Sequence, residues 1–267
     1  IVVKDIKKNK NIELHQCFSS GSVVWNKNSD GYFYLKKDSD TLIANSLYFH
    51  RLGTEISKDN LIYKETDKQF GLDISLSRTK KYLLLNISKT ESNETWFMDL
   101  EEKNLILKCF MKRRNKHLYY IDDTPEGFVI LSNRNNQKNF ALYESNFFKL
   151  AEKNWKLLVP HKNNELLEDF LSFKDFIILK TRKNGLTQLI QFNKKNFEKT
   201  YIKFQDETYT VNLTNNNNYY AKKFSYAFSS LKVPSSVYSQ NLYTKKRMKL
   251  WSQKVLNHRE SRYITKR

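Results

Sequence analysis

A chain of 267 residues with 39% hydrophobic side chains is long enough and apolar enough to pack a core, which excludes a disordered polypeptide. No stretch reaches the roughly 20 consecutive apolar residues of a membrane helix, and Ile1–Asp5 runs directly into Lys7-Lys8-Asn9-Lys10, so the chain reads as cytoplasmic with no membrane contact. The net charge of +19 invites a nucleic-acid partner, but Lys is scattered through the loops with Asn, as in Asn193-Lys194-Lys195-Asn196, and compositional drift at the surface accounts for that mixture better than a phosphate-binding face.

Short runs rich in β-branched and aromatic residues alternate with polar turns, and no helical period is sustained beyond about ten residues, so the fold class is all-β. The chain opens with Ile1–Asp5 and the weak run Ile12–His15. Then comes a set of four strands, Ser22–Trp25, Tyr32–Lys36, Ser46–Arg51 and Asn60–Glu65. The second set is Leu72–Ser75, Tyr82–Ser88, Thr95–Asp99 and Leu105–Phe110, and the third Leu118–Asp122, Phe128–Ser132, Phe140–Ser145 and Trp155–Val159. The fourth is Leu166–Phe170, Phe176–Thr181, Leu186–Phe192 and Lys199–Lys203, and the fifth Thr208–Leu213, Phe224–Ser229, Ser235–Asn241 and Arg247–Lys254.

The second strands centre on Phe33, Leu85, Ile130, Ile178 and Tyr226, a period of 45 to 52 residues. Four short strands at that period predict the antiparallel blades of a β-propeller, sheets that bury their faces only by stacking on their neighbours. Residues 1–260 are therefore read as a partial propeller: a partial blade over 1–15, then blades starting near 22, 72, 118, 166 and 208. Beginning inside a blade, the sequence is expected to be a fragment or the product of a truncated gene.

Few residues suggest chemistry. A serine hydrolase of the α/β class needs its nucleophile on a G-x-S-x-G elbow, and no two of Gly21, Gly31, Gly53, Gly71, Gly127 and Gly185 are four apart. His15, His50, His117, His161 and His258 lie in different blades or at the C-terminal end, at no spacing that forces a catalytic or metal-ligating group, and are read as surface or packing residues. Cys17 and Cys109 are read as free thiols. Asp38-Ser39-Asp40 lacks the glycine and glutamate that close a calcium loop and is read as a turn, as is Asp122-Asp123-Thr124-Pro125-Glu126-Gly127. The basic run Lys112-Arg113-Arg114-Asn115-Lys116-His117 is read as a solvated loop. Tyr32-Phe33-Tyr34 and Phe224-Ser225-Tyr226-Ala227-Phe228 sit inside strand runs, which favours packing over base stacking. The expectation is no catalytic residue, no metal and no cofactor.

Several stretches carry a resemblance in the same chain order: Tyr48-Phe49-His50-Arg51-Leu52-Gly53-Thr54, Ser75-Leu76-Ser77-Arg78, Asn154-Trp155 with Leu158-Val159-Pro160-His161, and Arg182-Lys183-Asn184-Gly185-Leu186. The most specific is Phe228-Ser229-Ser230-Leu231-Lys232-Val233-Pro234-Ser235-Ser236-Val237-Tyr238. Together they resemble the propeller of the oligopeptidase B (protease II) branch of the prolyl oligopeptidase family. The resemblance implies a seven-bladed propeller over an α/β-hydrolase domain that supplies Ser, Asp and His and cleaves peptides after Lys or Arg. It also implies that the propeller restricts access, and that residues 261–267 begin a crossing strand toward the hydrolase domain missing here. The expectation is thus a substrate-gating propeller, inactive alone, with the hydrolase domain as partner. The alternatives are a stand-alone propeller that binds protein or nucleic acid, and the relic of a decaying gene.

Overall fold

The computed structural model describes residues 1–266, and in it the chain is built from antiparallel β-sheets, with three short 3₁₀ turns as the helical elements among those residues. Strands β1 (Val2–Asp5) and β2 (Lys10–Leu14) form a two-stranded sheet. Five four-stranded sheets follow, each paired in simple sequence order. The first holds β3 (Ser19–Trp25), β4 (Gly31–Lys37), β5 (Ala44–Arg51) and β6 (Asn60–Lys64). The second holds β7 (Gly71–Leu76), β8 (Tyr82–Lys89), β9 (Ser92–Asp99) and β10 (Leu107–Met111), and the third β11 (Tyr119–Thr124), β12 (Gly127–Ser132), β13 (Ala141–Asn146) and β14 (Lys156–Val159). The fourth holds β15 (Glu165–Ser172), β16 (Phe176–Lys183), β17 (Leu186–Asn193) and β18 (Lys199–Tyr201), and the fifth β19 (Thr210–Leu213), β20 (Lys223–Ser229), β21 (Ser236–Asn241) and β22 (Arg247–Ser252). These are the expected propeller blades, and every predicted strand overlaps an observed one.

The chain divides into two units, Ile1–Tyr119 and Tyr120–Arg267. Within each, the cores lie between successive sheets. In the first unit Phe33, Leu35 and Leu47 of one sheet meet Leu72, Ile74, Leu83 and Leu85 of the next. In the second, Val129 and Leu142 meet Leu167, Ile177 and Leu179, and the other face of that middle sheet offers Phe176, Ile178 and Leu189 to Phe224, Tyr226 and Phe228. The period-2 alternation of a strand is what allows this double packing. On β4, Phe33 faces the sheet that follows, while Tyr32 and Tyr34 pack with Val3 of β1 on the opposite side. Tyr32, Phe33, Tyr34, Phe224, Tyr226 and Phe228 are buried in packing, as their strand positions implied.

Local chemistry sets the turns. Lys183 pairs with Leu186 across a two-residue loop, where Asn184 and Gly185 both take positive φ (50° and 75°), the combination a type I′ hairpin turn requires. Asp38 accepts hydrogen bonds from the backbone of Asp40 and Thr41 and from the Thr41 hydroxyl, which closes the predicted turn between β4 and β5.

Two expectations change. The segment 122–127 is only partly a turn: β11 runs on through Thr124, so Asp122 and Asp123 are strand residues, and the Thr124 hydroxyl accepts from the backbone of Glu126 and Gly127 to close the tight connection. The basic run 112–117 is not simply solvated: Arg113 is tied to Glu65, the Lys112 ammonium stands 4.5 Å from the centre of the Trp96 ring, and His117 is buried. In the segment expected to begin a crossing strand, residues 261–267, Ser261 and Arg262 belong to the 3₁₀ turn Glu260–Arg262, and Arg267 lies outside the described residues.

Candidate functional site

The first unit gathers four polar side chains around two buried imidazoles. Glu13 points from β2, and His15 follows that strand directly; His50 comes from β5, Tyr32 and Tyr34 from β4, and Asp59 from the residue before β6. Pairing of β4 with β5 sets Tyr32 opposite His50, so strand register places the phenol and the imidazole side by side. The rings of His15 and His50 lie 3.8 Å apart, centre to centre.

Each imidazole is anchored through Nδ1. His50 Nδ1 is 2.6 Å from Asp59 Oδ1, and the Tyr34 hydroxyl donates to Asp59 Oδ2 at 2.8 Å. His15 Nδ1 is 2.9 Å from the Tyr32 hydroxyl. His50 Nε2 faces Glu13 Oε1 at 3.1 Å. Within this cluster, the buried Glu13 Oε2 and His15 Nε2 have no hydrogen-bond partner. Burial, followed by the neighbouring His50, holds the His15 pKa below its ordinary value, which favours the neutral ring. Burial also pushes the phenols of Tyr32 and Tyr34 well above the usual tyrosine range, so both remain hydroxyls.

The second unit carries an open cleft of about 810 Å³, lined among others by Glu126, Glu144, Lys156, Asp175, Lys194 and Tyr219. Lys194 follows β17 and is half-buried; its ammonium donates to Ser172 Oγ at 3.0 Å and lies 5.0 Å from the centre of the Tyr219 ring. Desolvation lowers its pKa to about 8, although Glu126 and Glu144 pull the other way. A lysine so shifted carries a larger neutral fraction than an ordinary one, in a cleft of mixed charge.

Sequence spacing missed the first of these sites. Spacing alone reads His15 and His50 as surface or packing residues; both are buried, and sheet stacking brings them together with Glu13. The one available signal was the Tyr-x-Tyr pair at Tyr32 and Tyr34, two large polar aromatics on the same face of a strand that need hydrogen-bond partners when buried. His117 is buried against the Tyr119 ring, whereas His161 and His258 are partly exposed. Cys17 and Cys109 are free thiols. Among the described residues no helix is long and apolar enough to cross a membrane.

Comparison with known proteins bears on the whole chain. Residues 1–253 match the family described as prolyl oligopeptidase, N-terminal beta-propeller domain. Dipeptidyl aminopeptidase BI of Pseudoxanthomonas mexicana is 27% identical over 246 residues, which cover 92% of this chain and 34% of that protein. Protease 2 of Moraxella lacunata is 26% identical over 246 residues, covering 91% of this chain and 35% of its own length. In three dimensions, oligopeptidase B from Leishmania major superposes with a TM-score of 0.86 at 20% identity, over 91% of this chain and 36% of that one. The chain thus spans about a third of the length of the relatives it matches.

Proposed function

The chain belongs to the prolyl oligopeptidase family as its N-terminal β-propeller domain, and on that premise we propose that it is the non-catalytic, access-restricting part of a serine endopeptidase. The observation that carries this reading is the match over residues 1–253 combined with coverage of only about a third of the relatives. A propeller of stacked sheets offers a rigid surround with no nucleophile of its own, so the Ser, Asp and His of peptide hydrolysis belong to an α/β-hydrolase domain that it serves. Cleavage after Lys or Arg is part of the proposal and rests on the motifs shared with the oligopeptidase B branch.

Exposed apolar side chains support a docked partner. Trp251 on β22 is 54% exposed, Leu256 95% and Ile264 82%, all within the last turns of the chain. Apolar residues left in water suit a surface that another domain covers, and obligate interfaces bury upward of about 2,000 Å².

The test compares the chain alone with the chain joined to a family hydrolase domain. Alone, it should neither hydrolyse an Arg-containing fluorogenic peptide nor be labelled by a serine-reactive fluorophosphonate; joined, the assembly should cleave short peptides and spare folded proteins. Labelling and hydrolysis by the chain alone, or equal cleavage of short peptides and folded proteins by the assembly, would overturn the reading.

A further inference from the structure

We propose that Glu13, His15 and His50 bind a divalent transition-metal ion of the zinc class, which clamps the β1–β2 hairpin to the sheet formed by β3–β6. One donor atom from each of the three residues lies within 4.8 Å of the others. In a tetrahedral zinc site, metal–ligand bonds of about 2.0–2.2 Å place ligand atoms about 3.3 Å apart, and His50 Nε2 and Glu13 Oε1 already stand at 3.1 Å.

The hydrogen-bond roles point to a cation. Nδ1 of His50 faces a carboxylate oxygen at 2.6 Å, so that nitrogen carries the ring proton and donates it. The lone pair of Nε2 then faces a second carboxylate oxygen, and two acceptors in contact need a cation between them: a second ring proton or a metal ion. A proton would satisfy His50 and one oxygen of Glu13. It would leave the buried Glu13 Oε2 and His15 Nε2 without partners, although His15 is only 4% exposed. One metal ion uses all of these groups.

The outer groups have the form such a site requires. Ligating imidazoles are held through Nδ1 by a carboxylate or another polar oxygen, which fixes the ring and raises the basicity of Nε2. Here Asp59 performs that role for His50 and is itself held by Tyr34, while Tyr32 engages His15. Two imidazoles with one carboxylate suit zinc and its neighbours, and not the all-oxygen shells of calcium or magnesium. The clamp also has a mechanical purpose, because a two-stranded hairpin has little stability by itself and β1–β2 shares only the small core of Val3, Tyr32 and Tyr34.

The experiment uses the full chain, stripped with chelator and titrated with ZnCl₂ by calorimetry and thermal unfolding. One equivalent should bind and raise Tm. Glu13→Gln and His15→Gln should each weaken binding by more than tenfold, and Asp59→Asn by about 10- to 100-fold through misplacement of His50. His161→Gln, in the other unit, should bind as the parent does. Should the variants fold poorly, X-ray absorption on the Zn²⁺-loaded parent decides: a shell of imidazole nitrogen with one carboxylate supports the site, and a shell of oxygen or sulfur alone overturns it. Absence of Zn²⁺ binding by the folded parent, or binding undiminished in both Gln variants, equally ends the proposal.

Discussion

Arg113 and Glu65 meet as a fork on a carboxylate, Nη1 to Oε2 at 2.8 Å and Nη2 to Oε1 at 3.3 Å, across 48 positions of sequence. Glu65 directly follows β6 and Arg113 lies two residues beyond β10, so the pair ties the ends of the edge strands of two adjacent sheets together. The carboxylate also accepts from the backbone of Thr66 and Asp67, and the guanidinium stacks 4.0 Å from the centre of the Phe70 ring. The Glu65 side chain is only 3% exposed, so the charge it carries depends on these partners.

Arg113→Met should therefore destabilise the first unit by about 2–4 kcal/mol, because it leaves a buried carboxylate half-satisfied. Arg113→Lys should recover only part of the loss, since an ammonium cannot reproduce the planar fork or the stack on Phe70. Urea denaturation of the three proteins measures both differences.

The same pair sets an acid limit. Burial alone would raise the Glu65 carboxyl, but the hydrogen bonds from Arg113 and the backbone outweigh it and hold the pKa below its ordinary 4.5. A carboxyl with a depressed folded-state pKa contributes stability above its unfolded pKa and loses it as pH falls through the folded value. The parent should hold this contribution in full above its unfolded carboxyl pKa of about 4.5 and lose it progressively as the pH falls further, as read by denaturation at stepped pH.

Asn93 mimics a strand partner for Tyr119: its amide donates to the Tyr119 carbonyl at 2.5 Å and accepts from the Tyr119 N–H at 2.9 Å. The Tyr119 hydroxyl accepts from Thr95 N–H at 2.7 Å and donates to the Met111 carbonyl at 2.6 Å. Tyr119→Phe leaves two buried backbone groups unpaired and should cost about 1–3 kcal/mol, while the β content seen by circular dichroism stays unchanged.

Gly127 starts β12 where an added Cβ would stand 1.8 Å from the Ser145 carbonyl oxygen, a backbone atom that cannot swing aside. Gly127→Ala should lower stability by about 1–3 kcal/mol or more through forced backbone displacement, measured as a fall in Tm.

Lys194, with a folded pKa of about 8 against an ordinary 10.5, costs stability while it is charged. The folded unit binds fewer protons than the unfolded chain between those values, so stability rises with pH across that window and the penalty is complete below it. Lys194→Met should stabilise the second unit by about 1–2 kcal/mol at pH 7, after allowance for partial solvent screening, and the advantage should vanish above pH 10.5. Denaturation of the two proteins at pH 7 and pH 11 provides the comparison.

Local pattern was enough to read the strands. The runs through Tyr32-Phe33-Tyr34 and Phe224 to Phe228 announce strands, Asn184-Gly185 announces its own hairpin, and the recurrence of four strands announces a blade. The strands and the hairpin depend on neighbours two to four residues apart, which backbone geometry alone relates. Where the pattern misled, as at Lys112–His117, the missing quantity was the environment: Arg113 reads as a loop cation until the facing sheet supplies a buried Glu65.

The amino-acid sequence by itself determined that this chain is all-β and repeats in blades, because strand alternation is written in short-range spacing and the blade in its recurrence every 45 to 52 residues. Only the tertiary structure decided that Glu13, His15 and His50 share one pocket, since Glu13 and His50 are 37 residues apart and meet only when one sheet is laid against another. Stacking converts distant positions into neighbours through register and burial, and neither quantity can be counted along a single strand.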